Sequence, residues 1–162
     1  MQRETYKSMV AALTAETHEI MPWDLEQQLA SNMPPLLLDI RCRDEYNDAH
    51  IEGSLNVPRG ILEIAVDYGY EETVPELVEA RNKQIVVMCR SGNRSVLAAH
   101  TLRSMGYQHV ASLRTGLRGW NDYEQPLYNV TGQRMDPDQV DEMFSPPITP
   151  EKLGSLSSLT ES

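Results

Sequence analysis

Residues 89–95, Cys89-Arg90-Ser91-Gly92-Asn93-Arg94-Ser95, set one thiol, two guanidinium groups and a glycine within a single short stretch. The chemistry open to that set is attack by sulfur on an anionic substrate. The thiolate is the reactive form of cysteine, and cationic neighbours favour it. Two arginines would also draw in an anion, and Gly92 permits a tight turn that a larger residue would resist. The plain alternative for Cys89 is a small core residue at a strand end. Two arginines and a glycine opening a helix argue against it, because an apolar site has no use for them.

The flanking elements decide where that loop stands. Residues 85–88 are a short continuous apolar run, the pattern of a parallel strand buried on both faces. After the loop, Val96, Ala99, Leu102 and Met105 recur every third residue, and Gly106 suits a helix stop. Cys89 therefore falls at the C-terminal end of a strand, where open α/β sheets bind ligands. There the loop aims backbone N–H groups and the positive end of a helix at one point. Residues 36–40 form a second apolar run, and 109–113 read as a further strand. Strand, turn, helix, strand is the βαβ unit, which predicts an α/β domain with a parallel sheet. Upstream, Met9, Val10 and Leu13 share one face of a helix over about residues 5–17. Pro22 suits the first turn of a second helix over 23–30.

The 162 residues carry 14 basic and 24 acidic side chains, a net charge of −10. That balance argues against nucleic acid or an anionic membrane as partner. The charge is uneven, however. From Cys89 to Trp120 there are five arginines (Arg90, Arg94, Arg103, Arg114 and Arg118) and no acid, so the remainder sums to −15. Arg90 and Arg94 belong to the loop; Arg103, Arg114 and Arg118 read as surface. An opposite bias, six acids and no base, spans residues 60–80. Two cysteines, Cys42 and Cys89, are too few for a disulfide scaffold. No apolar run has the length to span a bilayer, and the N-terminus has neither signal-peptide nor transit-peptide character, which predicts a protein of the reducing cytoplasm. Beyond Leu127 the chain holds four prolines, a serine-rich end and a net charge of −4. That segment reads as an extended, partly disordered arm, with Met143, Phe144, Ile148 and Leu153 as anchors if it docks.

An ordered set of motifs resembles the rhodanese-like sulfurtransferases, single-domain type. It comprises Leu38-Asp39-Ile40-Arg41 before Glu45-Tyr46, then residues 50–58 (His50-Ile51-Glu52-Gly53-Ser54-Leu55-Asn56-Val57-Pro58), the 89–95 loop, Gly116, Trp120 and Pro126. The resemblance covers about residues 22–127. It implies a rhodanese-like α/β fold, a central five-stranded parallel sheet with helices on both faces. It divides the chain into an N-terminal helical extension (1–21), the rhodanese-like domain (22–127) and the acidic tail (128–162). Two departures are expected to be structural variants: Ala49 where the family commonly has glycine before His50, and Thr115 in place of the first of two glycines before Trp120.

The resemblance implies that Cys89 accepts a sulfane sulfur as a persulfide and passes it to a thiophilic acceptor. The donor would be a small anion such as thiosulfate and the acceptor a thiol or a protein; no metal, cofactor, nucleic acid or membrane is called for. In the loop, residues 90–95 (Arg90, Ser91, Gly92, Asn93, Arg94 and Ser95) would bind the substrate. Arg90 is the candidate for contact with the anion at the rim, and Arg94 is expected to pair with a framework carboxylate, Glu45 or Asp39. Asp39 and Arg41 read as a structural ion pair, His50 as a hydrogen-bonded turn residue, and Cys42 as a buried strand-end thiol, with a resolving thiol as its alternative. A cysteine phosphatase or arsenate reductase is a rival reading. Those families place one more residue between cysteine and arginine than the four separating Cys89 from Arg94, and no general-acid Asp loop stands out. The other rivals are a non-catalytic interaction module and a protein-to-protein sulfur relay.

Overall fold

The computed structural model describes residues 2–154. Helix α1 (Tyr6–Thr14) is followed by strand β1 (His18–Ile20), helix α2 (Pro22–Leu29), strand β2 (Leu36–Asp39) and helix α3 (Arg43–Asp48). Strand β3 (Leu55–Asn56) leads through a 3-10 turn into the short helices α4 (Leu62–Ala65) and α5 (Pro75–Val78). Then come strand β4 (Gln84–Met88), helix α6 (Arg94–Ser104), strand β5 (His109–Leu113), and helices α7 (Gly116–Asp122), α8 (Pro137–Met143) and α9 (Pro150–Leu153). The strands form one parallel five-stranded sheet in the order β1-β5-β4-β2-β3.

Continuous apolar runs form the central strands because both faces of the sheet are covered. Side chains alternate along each strand. Leu38, Ile85, Val87 and Val110 face one core with Leu62, Leu77, Ala98, Ala99 and Leu102. Leu37, Val86, Met88, Ala111 and Leu113 face the other with Leu25, Leu117, Trp120 and Val140. The strands β1 and β3 carry no comparable run. β1 is three residues with one buried, Ile20, and β3 is two half-buried residues, so both take their strand geometry from their neighbours.

The N-terminal helix is shorter than expected, ending at Thr14, and it packs against α6. The C-terminal segment is more ordered than its composition implied. The backbone of Tyr128 bridges that of His50, Asn121 Nδ2 donates to Pro137 O, and Val140 and Phe144 are buried. Val140 and Phe144, with the half-buried Met135 and Met143, pack α8 on the core that it shares with α7. Of the other proposed anchors, Ile148 and Leu153 are exposed, at 64% and 44%. The serine-rich end expected to be disordered, residues 155–162, lies outside the described residues.

Candidate active site

Cys89 directly follows β4, and its side chain is 1% exposed. The chain then turns sharply and enters α6, which brings two backbone donors onto the sulfur. Gly92 N–H donates to Cys89 Sγ at 3.2 Å and Ser95 N–H at 3.3 Å. Ser95 Oγ stands 3.5 Å from the sulfur and 2.7 Å from Ser112 Oγ on β5. Among the described residues, the N–H groups of Ser91, Asn93 and Arg94 have no protein acceptor. The turn is therefore lined by donors and suits an anionic sulfur and its substituents.

The loop is held from below by α7. Leu117 N–H donates to Cys89 O at 2.9 Å and Arg118 N–H to Arg90 O at 3.0 Å. This contact is so close that a Cβ on Gly116 would lie 2.5 Å from both carbonyl oxygens. Gly92 has φ +91°, with Thr115 N 3.0 Å from where a Cβ would be. Gly116 is thus required by sterics as well as by torsion, and Gly92 chiefly by torsion. Thr115, at φ +69°, adopts a conformation that glycine takes more readily. Ala49 is different: its φ of −165° is ordinary extended backbone, so a glycine is not needed there.

Two ion pairs flank the loop, and they differ in kind. Arg94 makes a two-pronged contact with Glu45 on α3, at 3.1 and 3.0 Å, with both side chains about one-third exposed. Burial pushes the Glu45 carboxyl up, but the Arg94 hydrogen bonds and charge, with Cys42 N–H, outweigh it and hold it below its ordinary value. Asp39 and Arg41 are fully buried. Arg41 Nη2 lies 2.7 Å from Asp39 Oδ2 and also donates to Ala49 O at 2.7 Å. His50 Nδ1 bonds Tyr46 O at 2.7 Å, and its ring stacks on that of Tyr46.

Cys42 is not a buried strand-end thiol. It is exposed and occupies the N-cap of α3, because β2 ends at Asp39, three residues before it. Arg118 is not a simple surface residue either: its Nη2 donates to Phe144 O and its Nε is buried without a partner among the described residues. Arg90 Nε is likewise buried and unpartnered. Sequence reasoning missed Ser112 and the α7 amides, since neither carries a local signal; the β5 register alone aligns Ser112 with Val87. Among the described residues no cluster of His, Cys, Asp and Glu has the grouping of a metal site, and no helix is long and apolar enough to cross a membrane.

A parallel sheet with a cysteine in a donor-lined turn at the end of its central strand places that turn where open α/β proteins bind their ligands. Comparison with known proteins narrows this. The model of the rhodanese-like domain matches residues 22–123, and the chain belongs to that family. It is 31% identical over 110 residues to a protein named sulfurtransferase from Allochromatium vinosum, covering 68% of this chain and 94% of that one. It is 28% identical over 131 residues to a putative mitochondrial thiosulfate sulfurtransferase of Schizosaccharomyces pombe, covering 75% and 88%. A solved structure from Rhodopseudomonas palustris, described as a protein of unknown function and possible tyrosine phosphatase, superposes with a TM-score of 0.67 at 30% identity. That match covers 78% of this chain and 96% of the other. The chain spans only 24% of an adenylyltransferase and sulfurtransferase of Ogataea parapolymorpha and 46% of a putative sulfur carrier protein of Bacillus subtilis that it also matches.

Proposed function

We propose that this protein is a sulfurtransferase that carries a sulfane sulfur as a persulfide on Cys89, taking it from a small anionic donor such as thiosulfate. The observation that carries the reading is the pair of N–H donors on a buried Sγ, inside a turn with further unused amides. The Cys89 thiolate attacks the outer sulfur of thiosulfate. The donor's S–S bond breaks, its electron pair leaves with sulfite, and a Cys89 S–S bond forms. The charge on the attacking and departing groups falls where the loop amides stand, so their stabilisation acts on the transition state, and Arg90 on the same loop adds positive charge. In the second half-reaction an acceptor thiolate attacks the outer persulfide sulfur, forms a persulfide of its own and returns the Cys89 thiolate.

Burial shapes both halves. At 1% exposure the cysteine itself admits only a compact donor. An S–S bond of about 2 Å then carries the transferable sulfur outward, towards a larger acceptor. Arg94 serves the site through the framework: tied to Glu45, it fixes the start of α6 and hence the Ser95 amide. A phosphatase reading gains nothing from this turn, which already closes to hydrogen-bond distance on a single sulfur atom. The relay reading, favoured by the name of the sulfur carrier relative, shares the persulfide and differs in the donor.

Steady-state kinetics test the proposal. Sulfite release from thiosulfate with a dithiol acceptor should give the parallel double-reciprocal lines of a ping-pong mechanism and vanish in Cys89→Ser. Turnover that survives Cys89→Ser would overturn it. Thiosulfate turnover far slower than transfer from a persulfidated protein would favour the relay.

A further inference from the structure

Helix α1 and strand β1 precede the residues that match the family, yet they close a cavity against the catalytic loop. The cavity, about 340 Å³, is lined by Thr14 of α1, Glu19 of β1, Ser91, Gly92 and Asn93 of the loop, and Arg114 just past β5. Strand geometry brings its two charged residues together. Glu19 pairs with Ser112 across the β1–β5 ladder, and Arg114 N–H donates to Ile20 O at 2.8 Å, which continues that ladder by one residue. Glu19 and Arg114 therefore share one face of the sheet, two positions apart on neighbouring strands, with Cα atoms roughly 8 Å from each other. Among the described residues neither has an ion-pair partner. A carboxylate and a guanidinium thus line one cavity without neutralising each other. The loop side of that cavity also borders the active site. Gly92 N–H donates to Cys89 Sγ at 3.2 Å, and the N–H groups of Ser91 and Asn93 have no protein acceptor among the described residues.

We propose that this cavity binds a small zwitterionic thiol of the amino-acid type, its carboxylate on Arg114 and its ammonium on Glu19, and that this thiol accepts the Cys89 sulfur. The two charges select the class. A dianion such as thiosulfate gains from Arg114 but is repelled by Glu19, and a simple amine meets the reverse. A ligand that carries both signs satisfies both side chains. The volume admits an amino acid or a short peptide. With its thiol at the Gly92 end, such a ligand lies beside a persulfide on Cys89. The acceptor gives its thiol proton to solvent, and its sulfur bonds the outer persulfide sulfur. The Cys89 S–S bond breaks, its electron pair returns to Cys89 as the thiolate, and the acceptor leaves as a persulfide. Thr14 and Glu19 both stand before residue 22, so the site is an addition of this chain's N-terminal segment to the family domain. The acceptor role rests on the sulfurtransferase reading, whereas the binding of the zwitterion is measurable without turnover.

The test uses the full chain and the variants Glu19→Gln and Arg114→Gln. S-methylcysteine, which keeps both charges but cannot accept sulfur, is titrated while the backbone amides are followed by NMR. It should shift the Gly92 and Asn93 amides of the wild type. Each variant should raise its Kd by roughly three- to tenfold, the loss of one charge-assisted contact at a partly exposed site. Turnover then compares three acceptors: cysteine, cysteamine, which lacks the carboxylate, and 3-mercaptopropionate, which lacks the ammonium. Each thiol is compared with itself across the variants, so differences in thiol reactivity cancel. Arg114→Gln should lower kcat/KM by a similar factor for cysteine and 3-mercaptopropionate and spare cysteamine. Glu19→Gln should lower it for cysteine and cysteamine and spare 3-mercaptopropionate. Loop amides unmoved by S-methylcysteine, or variants that affect all three thiols alike, overturn the proposal. Binding of S-methylcysteine that depends on both residues, in a protein that releases no sulfite from thiosulfate and forms no persulfide, upholds the zwitterion site and defeats the sulfurtransferase reading alone.

Discussion

Replacing Arg41 with methionine should destabilise this protein far more than the same change at Arg94, although both arginines sit in ion pairs beside one loop. Arg41 is 1% exposed and Asp39 is fully buried. Nε and Nη2 of Arg41 donate to both carboxylate oxygens at 2.7–3.2 Å, and Nη2 also serves Ala49 O. Arg41→Met leaves Asp39 with the residue 41 backbone N–H alone and leaves Ala49 O without its donor. Removing one member of a buried pair costs about 3–5 kcal/mol. The Arg94–Glu45 pair is about one-third exposed, so water takes over much of its work, and Arg94→Met should cost about 0.5–1 kcal/mol. With a urea m-value of about 2 kcal/mol/M, the midpoints should fall by about 2 M and by less than about 0.5 M. The buried Trp120 provides the fluorescence signal. The double variant Asp39→Leu, Arg41→Met should recover much of the loss, because no lone buried charge remains. Equal shifts at Arg41 and Arg94, or a double variant no better than Arg41→Met, would refute the assignment of a buried structural pair.

Two further outcomes follow from the same geometry. Glu45 is held below its ordinary value in the folded state, so its contribution is present above the unfolded carboxylate's pKa and is lost as pH falls through the folded one. The stability difference between wild type and Glu45→Gln, read as urea midpoints, should therefore hold from neutral pH down to the unfolded carboxylate's pKa and shrink below it, and a difference that stays constant into that acidic range would contradict this. Phe144, 4% exposed, packs in the core shared with α7 and places its ring over Arg41. Phe144→Ala should cost about 3 kcal/mol in thermal or urea unfolding; a loss near zero would mean that the C-terminal segment is not part of the folded unit.

Much of this architecture was legible in the chain because its strongest signals are local. The runs at 36–40 and 85–88, the helical spacing after Cys89 and the glycine at 92 each report a backbone state through their own composition. Together with the motif order they led to the parallel sheet and to the loop. The Arg94–Glu45 and Asp39–Arg41 pairs were within reach because each choice had few available partners. What stayed hidden depends on register and on tertiary contact. β1 and β3 borrow their pairing from β5 and β2. Ser112 reaches Ser95 Oγ, which stands beside the sulfur, only through the register of β5. Cys42 misled because an apolar run ending at Ile40 suggested a longer strand, whereas the chain turns out after Asp39 to cap α3. The C-terminal segment misled because composition averages over residues, while a few apolar side chains, Val140 and Phe144 with Met135 and Met143, pack it on the core.

The intact mass of the protein after brief exposure to thiosulfate, alongside a panel of persulfide donors, tests the central claim most directly. The account predicts one added sulfur atom, mapped to Cys89, removed by dithiothreitol and absent from Cys89→Ser. A wild-type protein whose mass is unchanged by every donor in the panel would contradict it.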